Sequence, residues 1–411
     1  MKAILPKIKF NNFYEKWNRK TLQSIAPLRG GFAFKSEKFQ NVGIPIVRIS
    51  NIGFDGTVGG EFEYYSKLSP DEKFVLKGRS LLLAMSGATT GKIAMLDSEE
   101  EYYQNQRVGY FQNNGAVDYD FLSSVLQTKA FTNQLNAVLV AGAQPNISSK
   151  EIDSFVFCIP ESLDEQSTIG SLFRTLDDLL ASYKDNLANY QSFKATMLSK
   201  MFPKAGQTVP EIRLDGFEGE WENIRLGDCA IIKGRLGWKS LKQEEYTEVG
   251  PSMIAGKHIK NGVIDWGEVD HIPQWRYDES PDIMLENGDI IFSKDGSLGN
   301  PALVSNLKGE ATINSTMMLV RLDKKVSSQF FYQVLTSSVF QKLIYLKVSG
   351  SSIPHLFQAD MQDFKFFAPG IEEQQAIGVY FSNLDNLIAS HKDKISQLET
   401  LKKKLLQDMF I

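Results

Sequence analysis

The chain contains 411 residues, 42% hydrophobic and 23% charged, a composition typical of a globular protein with two to four domains. Its formal net charge of −4 weakens a nucleic-acid-binding role without excluding one, because net charge hides local basic patches. Two cysteines and four histidines leave no disulfide framework and no plausible zinc site, and we expect neither a signal peptide nor a membrane span of roughly 18 apolar residues. We therefore predict a cytoplasmic protein that holds no metal.

Short runs of β-favouring residues, separated by glycine, asparagine and aspartate turns, fill the first part of the chain. They predict strands near residues 44–49, 79–85, 92–96, 108–112 and 155–159. One amphipathic helix is expected near residues 118–136, because apolar residues recur there at helical spacing. The same order returns later, with a helix predicted near residues 327–346 and strands near 252–254, 289–292, 302–305, 317–322 and 364–368.

Each of these regions leads into a long helix, and the two helices are repeats of one sequence pattern. Residues 165–202 and 373–410 align without a gap at an offset of 208. At 1.5 Å per residue such a helix is roughly 55 Å long, more than a typical globular domain needs. Apolar residues recur at the a/d spacing of a coiled coil, and the predicted helix–helix seam consists of Ile169, Phe173, Leu176, Leu180, Leu187, Ile377, Phe381, Leu384, Ile388 and Ile395.

Two lysines, Lys194 and Lys402, interrupt this seam at matching places. Because charged residues restrict each apolar stripe to a narrow face, we predict that the two helices pack against each other as an antiparallel coiled-coil stalk. The alternative, in which each stripe faces the core of its own domain, stays open at this point.

The duplication extends beyond the helices through the whole chain. Trp17 and Leu22 correspond to Trp221 and Leu226 at an offset of 204, which indicates two copies of one structural module. The predicted fold class is α+β, with two tandem mixed α/β domains, each followed by a long helix. The predicted boundaries are 1–160 and 204–368 for the two domains and 161–203 and 369–411 for the two helices.

Motifs that would support catalysis are weak. The glycine-rich loop from Gly87 to Lys92 is not a Walker A loop, because only three residues separate its glycines and Ile93 stands where serine or threonine would bind magnesium. A loose acidic pattern at Asp282 and Asp323 would suit a metal-dependent nuclease, but the first copy has no counterpart. Neither an adenine-methyltransferase tetrad nor a GxSxG motif is present. We therefore predict no catalytic residue in this chain.

Residues suited to DNA binding recur in loops at equivalent places of both copies. Arginine and lysine neutralise phosphates or bind guanine, whereas asparagine and glutamine bind adenine edges. Each such residue alone is more often a solvated loop residue, but recurrence in both copies favours a shared role, and the differing identities suit two readers of different targets. The predicted DNA-binding residues are Lys35, Ser36, Arg48, Asn51, Thr89, Thr90, Lys92, Asn105, Gln106, Arg107, Lys239, Ser240, Lys257, His258, Lys294, Asn300, Asn314 and Ser315.

In this arrangement the chain resembles the specificity (S) subunit of type I restriction-modification enzymes over essentially its whole length. The specific part of the resemblance is the pair of Glu-Gln helix starts, Glu165-Gln166 and Glu373-Gln374, about 200 residues apart. The tryptophan-and-leucine opening of each copy and the Ser-Gly-Ala-Thr segment at residues 86–89 add to it. The second copy departs from that segment, with an Asp-Gly-Ser-Leu-Gly sequence in its place.

The resemblance implies two target recognition domains, each reading one half of a bipartite, asymmetric target on double-stranded DNA, with the long helices acting as a ruler. It implies two modification (methyltransferase) subunits docked on the helices and restriction subunits that hydrolyse ATP. S-adenosylmethionine, ATP and magnesium would be bound by those partners, and this chain would hold no cofactor. Two alternatives stay open: a coiled-coil structural adaptor without DNA specificity and, with weaker support, a self-contained metal-dependent nuclease.

Overall fold

A computed structural model describes residues 6–141, 146–204, 206–235, 241–349 and 354–410 of the chain. The fold divides into two compact units. Unit 1 comprises residues 1–184 and 393–411, and unit 2 comprises residues 185–392. Each unit therefore contains one copy of the strand-rich region together with segments of both long helices.

Unit 1 is built around one mixed sheet. Its strands are β1 (Asn18–Thr21), β2 (Leu28–Gly30), β3 (Ile44–Val47), β4 (Glu63–Tyr65), β5 (Val75–Ala84), β6 (Ile93–Gln104), β7 (Val108–Phe111) and β8 (Val156–Ile159). Its helices are α1 (Leu22–Ile25), α2 (Tyr119–Val125), α3 (Lys129–Ala141), α4 (Ser149–Asp153) and the first part of α5 (Leu163–Lys200). The sheet has the order β2-β7-β5-β6-β3-β4, and β1 pairs with β8. Alternate residues of β5 enter core clusters on opposite faces of this sheet, Leu81 on one face and Leu82 on the other.

Unit 2 contains the corresponding elements. Its strands are β9 (Glu222–Arg225), β10 (Ala230–Gly234), β11 (Thr247–Ile254), β12 (Ile259–Lys260), β13 (Val263–Ile264), β14 (Asp270–His271), β15 (Ile290–Ser293), β16 (Gly299–Leu303), β17 (Ala311–Ile313), β18 (Met317–Leu322) and β19 (Lys365–Ala368). Its helices are α6 (Gln274–Asp278), α7 (Ser328–Thr336), α8 (Ser338–Ser349), α9 (Gln358–Gln362) and most of α10 (Ile371–Asp408). The sheets have the orders β10-β18-β15-β16, β14-β11-β17, β12-β13 and β19-β9.

The two units share one pattern of strand pairing. In unit 1 β5 lies between β7 and β6, and in unit 2 β15 lies between β18 and β16. A parallel pair recurs as well: β3 places Val47 opposite Gln104 of β6, and β11 places Ile254 opposite Ile313 of β17. The strand before each long helix, β8 or β19, pairs antiparallel with the first strand of its copy. The prediction of an α+β fold duplicated along the chain is therefore confirmed.

The prediction of one shorter amphipathic helix in each copy is wrong in one respect. In both copies the segment forms two helices, α2 and α3 in unit 1 and α7 and α8 in unit 2. Between α2 and α3, the Thr128 hydroxyl donates to the Val125 carbonyl at 2.7 Å and accepts from the Phe131 N–H at 3.4 Å. Ser337 holds the equivalent place between α7 and α8, with its hydroxyl donating to the Val334 carbonyl at 2.7 Å. A hydroxyl that satisfies the backbone groups at a helix end favours a stop and a new start there.

The long helices α5 and α10 each contain 38 residues and are about 57 Å long. Within unit 1 their segments run antiparallel. Asp177 of α5 forms an ion pair with Lys402 of α10, and Lys184, farther along α5, pairs at 2.9 Å with Glu399, which is earlier in α10. The predicted antiparallel sense therefore holds for the helix segments of this unit.

Within unit 2 the remaining segments of the same helices pair in the same sense. The ring centroids of Tyr190 and His391 lie 5.1 Å apart, and the Lys194 ammonium lies 2.5 Å from the Asp385 carboxylate. The two lysines that interrupt the seam thus have equivalent partners, since Lys402 pairs with an aspartate in unit 1. A charged residue at such a position costs stability unless it finds a partner across the helix pair, which both lysines do.

The phenylalanine that follows each long helix completes an aromatic core. In unit 1 the ring of Phe410, after α10, lies 5.6 Å from the rings of Phe121 and Phe173. Trp17 packs edge-on against the same ring at 6.1 Å. The equivalent cluster of unit 2 consists of Phe202, Trp221, Phe330 and Phe381. The core of each unit is therefore completed by the end of the helix that the other copy encodes.

The predicted seam residues are most deeply buried near the start of each helix. Ile169 and Phe173 belong to the core of unit 1 together with Leu398 of α10, whereas Leu187 and Ile395 are only partly buried. The apolar stripe of each helix thus faces the domain core at one end and the other helix farther along. A coiled-coil stalk that is continuous over the whole helix length stays a prediction.

The Glu-Gln pair at the start of α5 ties this helix to the sheet of unit 1. The buried carboxylate of Glu165 accepts from the indole N–H of Trp17 at 3.1 Å. Gln166 donates to the Pro160 carbonyl at 2.8 Å and accepts from the Asp118 N–H at 2.8 Å. These bonds fix the helix to the end of β8 and to the first turn of α2.

The Glu-Gln pair of α10 does the same in unit 2 with different partners. Arg213 donates two hydrogen bonds to the Glu373 carboxylate, at 2.8 and 2.6 Å. Gln374 donates to the Pro369 carbonyl at 2.8 Å and accepts from the Ser327 N–H at 3.0 Å. In both units the motif therefore anchors a long helix to its domain.

Candidate nucleic-acid interface

A tight turn between β6 and β7 organises one edge of the unit 1 sheet. The Asn105 side chain accepts from the Arg107 N–H at 3.1 Å, which closes the turn. Three loops bond to it: the Gln106 N–H donates to Phe32 at 2.9 Å, the Met85 N–H donates to Arg107 at 2.9 Å, and the Asn105 N–H donates to the end of β3 at 3.1 Å. Four loops are therefore held together at this edge.

We call this edge the unit 1 loop surface, made of residues 31–36, 48–58, 85–92 and 105–107. The predicted DNA-binding residues that are exposed or partly exposed on it are Lys35, Ser36, Arg48, Thr89, Thr90, Lys92, Asn105, Gln106 and Arg107. The structure therefore brings together nearly all of the first copy's candidates, although they span more than 70 positions of the sequence.

Three cations of this surface are available to an anion. Lys35, Lys92 and Arg107 form no salt bridge with another residue in the described part of the chain. Desolvation lowers the pKa of the Lys92 ammonium from its ordinary value. Unpaired cations on a loop surface are the side chains that phosphate groups attract most directly.

Two predicted residues of this region are engaged within the protein. Asn51 is 2% exposed, and its amide donates to the Gly59 and Glu61 carbonyls at 3.1 and 2.9 Å. Its side-chain oxygen accepts from the Arg48 N–H at 3.0 Å, and the Arg48 guanidinium lies 3.5 Å from the Glu63 carboxylate. Because every polar group of Asn51 is satisfied inside the loop, the prediction that it contacts DNA does not fit its position.

The equivalent turn of unit 2 lies between β17 and β18. The Asn314 side chain accepts from the Thr316 N–H and hydroxyl at 3.1 and 2.8 Å, with Ser315 partly exposed beside it. The Lys294 N–H donates to the Thr316 carbonyl at 2.9 Å, and the Asn300 amide donates to the start of β12 at 3.3 Å. These bonds assemble the unit 2 loop surface from residues 255–260, 293–300 and 314–316.

His258 takes the place in unit 2 that Asn51 takes in unit 1. It is 2% exposed, and its Nδ1 accepts from the Ala255 N–H at 2.9 Å. Desolvation lowers the pKa of the His258 imidazole, partly opposed by the negative charge of Asp270. The imidazole is buried and closes a backbone turn, so the predicted DNA contact of His258 does not fit its position either.

The cations of the unit 2 loop surface are already paired. The Lys257 ammonium lies 2.9 Å from the Asp270 carboxylate, and the Lys294 ammonium lies 3.0 Å from the Asp295 carboxylate. Asn300 is exposed and adopts a left-handed conformation with φ 50°, which asparagine tolerates well. Lys257, Lys294 and Asn300 thus stay candidates for DNA contact, with the two lysines held by aspartates.

Two further candidates, Lys239 and Ser240, lie outside the described residues. Among the residues that are described, no group of three or more His, Cys, Asp or Glu side chains is placed to hold a metal ion. Within the same ranges, no helix has the length and apolar character needed to cross a bilayer.

Two features of these surfaces were missed in the sequence. Phe54 is 92% exposed, and the Lys92 ammonium lies over its ring. In unit 2, His355 bonds Asp295 from a segment that the sequence pattern did not connect with this loop. The first could have been found from an aromatic residue standing between two glycines of a loop, but the second has no local signal.

Comparisons with known proteins agree with the duplicated architecture. A family model for the type I restriction modification DNA specificity domain matches residues 14–189 and again residues 218–400. The type I restriction enzyme MjaVIII specificity subunit of Methanocaldococcus jannaschii is 21% identical over 346 residues, covering 82% of this chain and 79% of its own length. The EcoBI specificity subunit of Escherichia coli is 21% identical over 431 residues, covering 97% of this chain and 86% of its own.

The fold agrees with a solved structure as well. The crystal structure of the type I restriction-modification system S subunit from M. genitalium matches with a TM-score of 0.65 at 18% identity, over 99% of each chain. At this identity the match concerns the fold alone. Because the family model covers most of the chain in two consecutive matches, one for each copy, this chain belongs to the type I restriction-modification DNA specificity family.

Proposed function

We propose that this chain is the DNA-recognition subunit of a type I restriction-modification complex, with each loop surface reading one half of a bipartite, asymmetric target on double-stranded DNA. One observation carries the proposal: the same backbone frame recurs in both units, while the exposed side chains on it differ. Lysine, arginine, asparagine and threonine are the residue types that contact phosphates and base edges. Two equal frames with different side chains fit two different half-sites.

The long helices expose apolar side chains at equivalent positions, and we infer that two modification (methyltransferase) subunits dock there. Leu179 and Leu401 in unit 1, and Phe193 and Leu387 in unit 2, are each 42–47% exposed. Each pair is close in sequence to the seam ion pair of its unit, so both members lie at one level of the helix pair. Single exposed leucines are ordinary, but a pair repeated in both units fits two copies of one partner.

A charge placed in one of these apolar pairs tests the docking. Leu179→Glu should remove one copy of the modification subunit from the complex, and Leu387→Glu should remove one copy as well, because each disturbs one surface. The mass of the assembled complex measures this, with Ala181→Glu as the control, since Ala181 is exposed on α5 and faces away from Leu179. A complex of unchanged mass in both leucine variants would contradict the assignment.

We infer that the chain supplies recognition and no bond-making step. On this inference S-adenosylmethionine, ATP and magnesium bind to the modification and restriction subunits, and the complex acts on DNA in the cytoplasm. Purified chain incubated with magnesium and plasmid should leave the DNA uncut. Cleavage by the chain alone would instead favour a nuclease.

Exchange of residues 1–160 with those of a homologue tests recognition directly. The methylated motif should change in one half and keep the other, because each unit reads its own half-site. Exchange of the helix 165–202 alone is the matched control and should leave both halves unchanged, because the loop surfaces stay in place. If the motif stays the same after the first exchange, the chain is an adaptor without DNA specificity.

The ruler role of the helices is an inference from the family and has its own test. One heptad inserted in α5 and one in α10 should lengthen the tolerated spacer between the half-sites or abolish activity. A fully active variant with an unchanged spacer would rule out that role.

A further inference from the structure

A hairpin of unit 1 carries one apolar side chain into solvent. Ile52 and Val58 bridge the two arms of this hairpin, and Phe54 lies in the loop between them. The ring of Phe54 is 92% exposed, more than any other large hydrophobic side chain among the described residues. The hairpin belongs to the unit 1 loop surface, because its Gly56 carbonyl accepts at 3.0 Å from the Met95 N–H, just after the 85–92 loop.

The loop that carries this ring is held in one conformation. The Asp55 carboxylate accepts from the Thr57 N–H at 3.1 Å and from its hydroxyl at 2.8 Å. These bonds lower the pKa of the Asp55 carboxyl and keep it ionised. The Gly53 N–H donates to the Thr57 carbonyl at 2.9 Å, and Gly56 adopts φ 83°, which a side chain would disfavour. These bonds fix the backbone from which the Phe54 ring projects into solvent.

The surroundings of Phe54 suit DNA better than a protein partner. The Lys92 ammonium lies over the ring, and the hydroxyl-bearing Thr89 and Thr90 belong to the same adjacent loop. Protein interfaces are centred on apolar patches with few charges, whereas Phe54 stands alone among glycines, an aspartate and a lysine. An apolar ring beside a cation matches the side chains that enter a DNA groove, where the ring unstacks a base step and the cation meets a phosphate.

The equivalent hairpin of unit 2 lacks this device. It joins β12 to β13 through a shorter tip, Asn261-Gly262, with Asn261 at φ 54°. The Asn261 side chain accepts from Lys392 of α10 at 2.9 Å. A polar tip bonded to the helix has nothing to insert into a base stack, so this hairpin acts differently in the two units.

We propose that Phe54 is an apolar wedge, whose ring inserts between two stacked base pairs of the half-site bound by unit 1 while Lys92 leaves the ring face and meets the phosphate backbone. This inference rests on the proposed DNA-recognition function. Insertion of the ring would deform the DNA, in addition to the contacts that other side chains make with base edges. The flexibility of one base step would then contribute to the specificity for the first half-site.

The test uses the full chain assembled with its modification subunits and a duplex that carries the methylated motif of the source genome. 2-Aminopurine replaces each adenine on either strand of the first half-site in turn, and its emission rises where stacking is lost. The methylated base itself is left out, because methyltransferases extrude their target base. With the unaltered chain, emission should rise at one step. Phe54→Ala should abolish that rise and weaken binding about tenfold or more.

Two variants control this measurement. Phe54→Leu should keep part of the effect, since leucine is also a wedge residue. Tyr14→Ala removes another exposed aromatic ring of unit 1, 86% exposed and outside the loop surface, and should change nothing. Thermal unfolding of Phe54→Ala should match that of the unaltered chain, because the ring is in solvent.

The outcomes separate the wedge from the function on which it rests. Specific binding with no rise at any step, or a rise that persists in Phe54→Ala, overturns the wedge and leaves DNA recognition intact. Loss of modification subunits in Phe54→Ala with unchanged DNA binding would place the ring against protein and also overturn it. A complex that binds no duplex specifically, with or without Phe54, contradicts the proposed function and the wedge together.

Discussion

The loop surfaces of the two units use one backbone frame, but they present their charges differently. In unit 1, Lys92 and Arg107 form no salt bridge with another described residue, whereas in unit 2 Lys257 and Lys294 are each held by an aspartate. A cation that is already neutralised must leave its carboxylate before it binds a phosphate, so it gains less from DNA. Unit 1 therefore has the stronger electrostatic surface, and it alone carries the exposed Phe54.

The loop backbone beneath these side chains has the same shape in both units because side chains at equivalent positions close the same turns. Asn105 and Asn314 close equivalent turns by accepting backbone N–H groups. Asn51 and His258 close another pair of turns, although one is an amide and the other an imidazole. What is common to the units is the hydrogen bond and not the residue. Specificity can therefore change at exposed positions while the loops keep their shape.

The largest expected effect compares the two anchors of the long helices. Glu373 is held by two hydrogen bonds from Arg213, whereas Glu165 is bonded to Trp17 with Lys9 at 3.5 Å. Arg213→Met should lower the free energy of unfolding by about 3–5 kcal/mol, because it leaves a buried carboxylate without its cation. Lys9→Met should cost less, since the indole N–H stays in place. Denaturant unfolding of both variants measures this, and equal losses would show that the anchors are equivalent after all.

A second test concerns how closely each long helix approaches its domain. A Cβ at Gly170 would lie 2.5 Å from the Phe121 backbone nitrogen, and one at Gly378 would lie 2.7 Å from the Cβ of Gln329. Gly→Ala within a helix ordinarily stabilises by roughly 0.5–1 kcal/mol. Here both substitutions should destabilise, by roughly 1–3 kcal/mol, because the obstacles cannot move aside.

Gly170→Ala should be the more damaging of the two, since a Cβ there meets three atoms closer than 3.0 Å and a Cβ at Gly378 meets one. Thermal unfolding gives the comparison. Ser171→Ala, at the exposed neighbouring position of α5, is the control and should leave stability unchanged or slightly higher. A stabilised Gly170→Ala variant would mean that the helix lies farther from α2 than the structure has it.

The duplicated fold could be predicted from the sequence because its signals are periodic. Apolar spacing marks strands and helices, and the gapless match of the long helices marks the repeat. The break at Thr128 was missed because the apolar pattern continues across it, and only the hydroxyl's hydrogen bonds divide the helix. The packing of Phe410 against Trp17 was missed for another reason, since partners that are distant in sequence leave no local pattern.

The loop surfaces were predicted as regions but less well as residues. A polar loop side chain can bond its own backbone or a ligand, and its residue type is the same in both cases. Asn51 and His258 are buried and bond the backbone of their own loops. Arg107 is exposed and Lys92 is partly exposed, so both are accessible to a ligand. Geometry decides the matter, and a single sequence does not contain that geometry.

The charge difference between the two loop surfaces is tested by measuring DNA binding, because these substitutions should not change stability. Arg107→Ala should weaken binding to the first half-site by about 1–3 kcal/mol and reduce the slope of log K against log salt by about 1. Lys257→Ala should change the slope less, because that ammonium is held by Asp270. Salt titrations of the assembled complex measure both slopes. Equal reductions would contradict the comparison, and an effect of Arg107→Ala on both half-sites would argue against separate readers.

The smallest expected effect lies where the two units are most alike. Lys402 pairs with Asp177 and Lys194 with Asp385, and each pair is partly exposed to solvent. Partly exposed ion pairs contribute about 0.2–1 kcal/mol, and methionine keeps the apolar stem of lysine in the seam. Lys402→Met and Lys194→Met should therefore each change the free energy of unfolding by less than about 1 kcal/mol, and by the same amount within error.

The informative variant is the double substitution Lys402→Met with Lys194→Met, because it removes both charges that interrupt the apolar stripes. If the lysines specify antiparallel pairing more than they stabilise it, the doubly substituted chain should keep its stability and yet form chain-to-chain dimers. Sedimentation at several concentrations measures this. If the double variant is strictly monomeric and equally stable, the matched lysines have no role in pairing. Their effect would then be on the solubility of the helices.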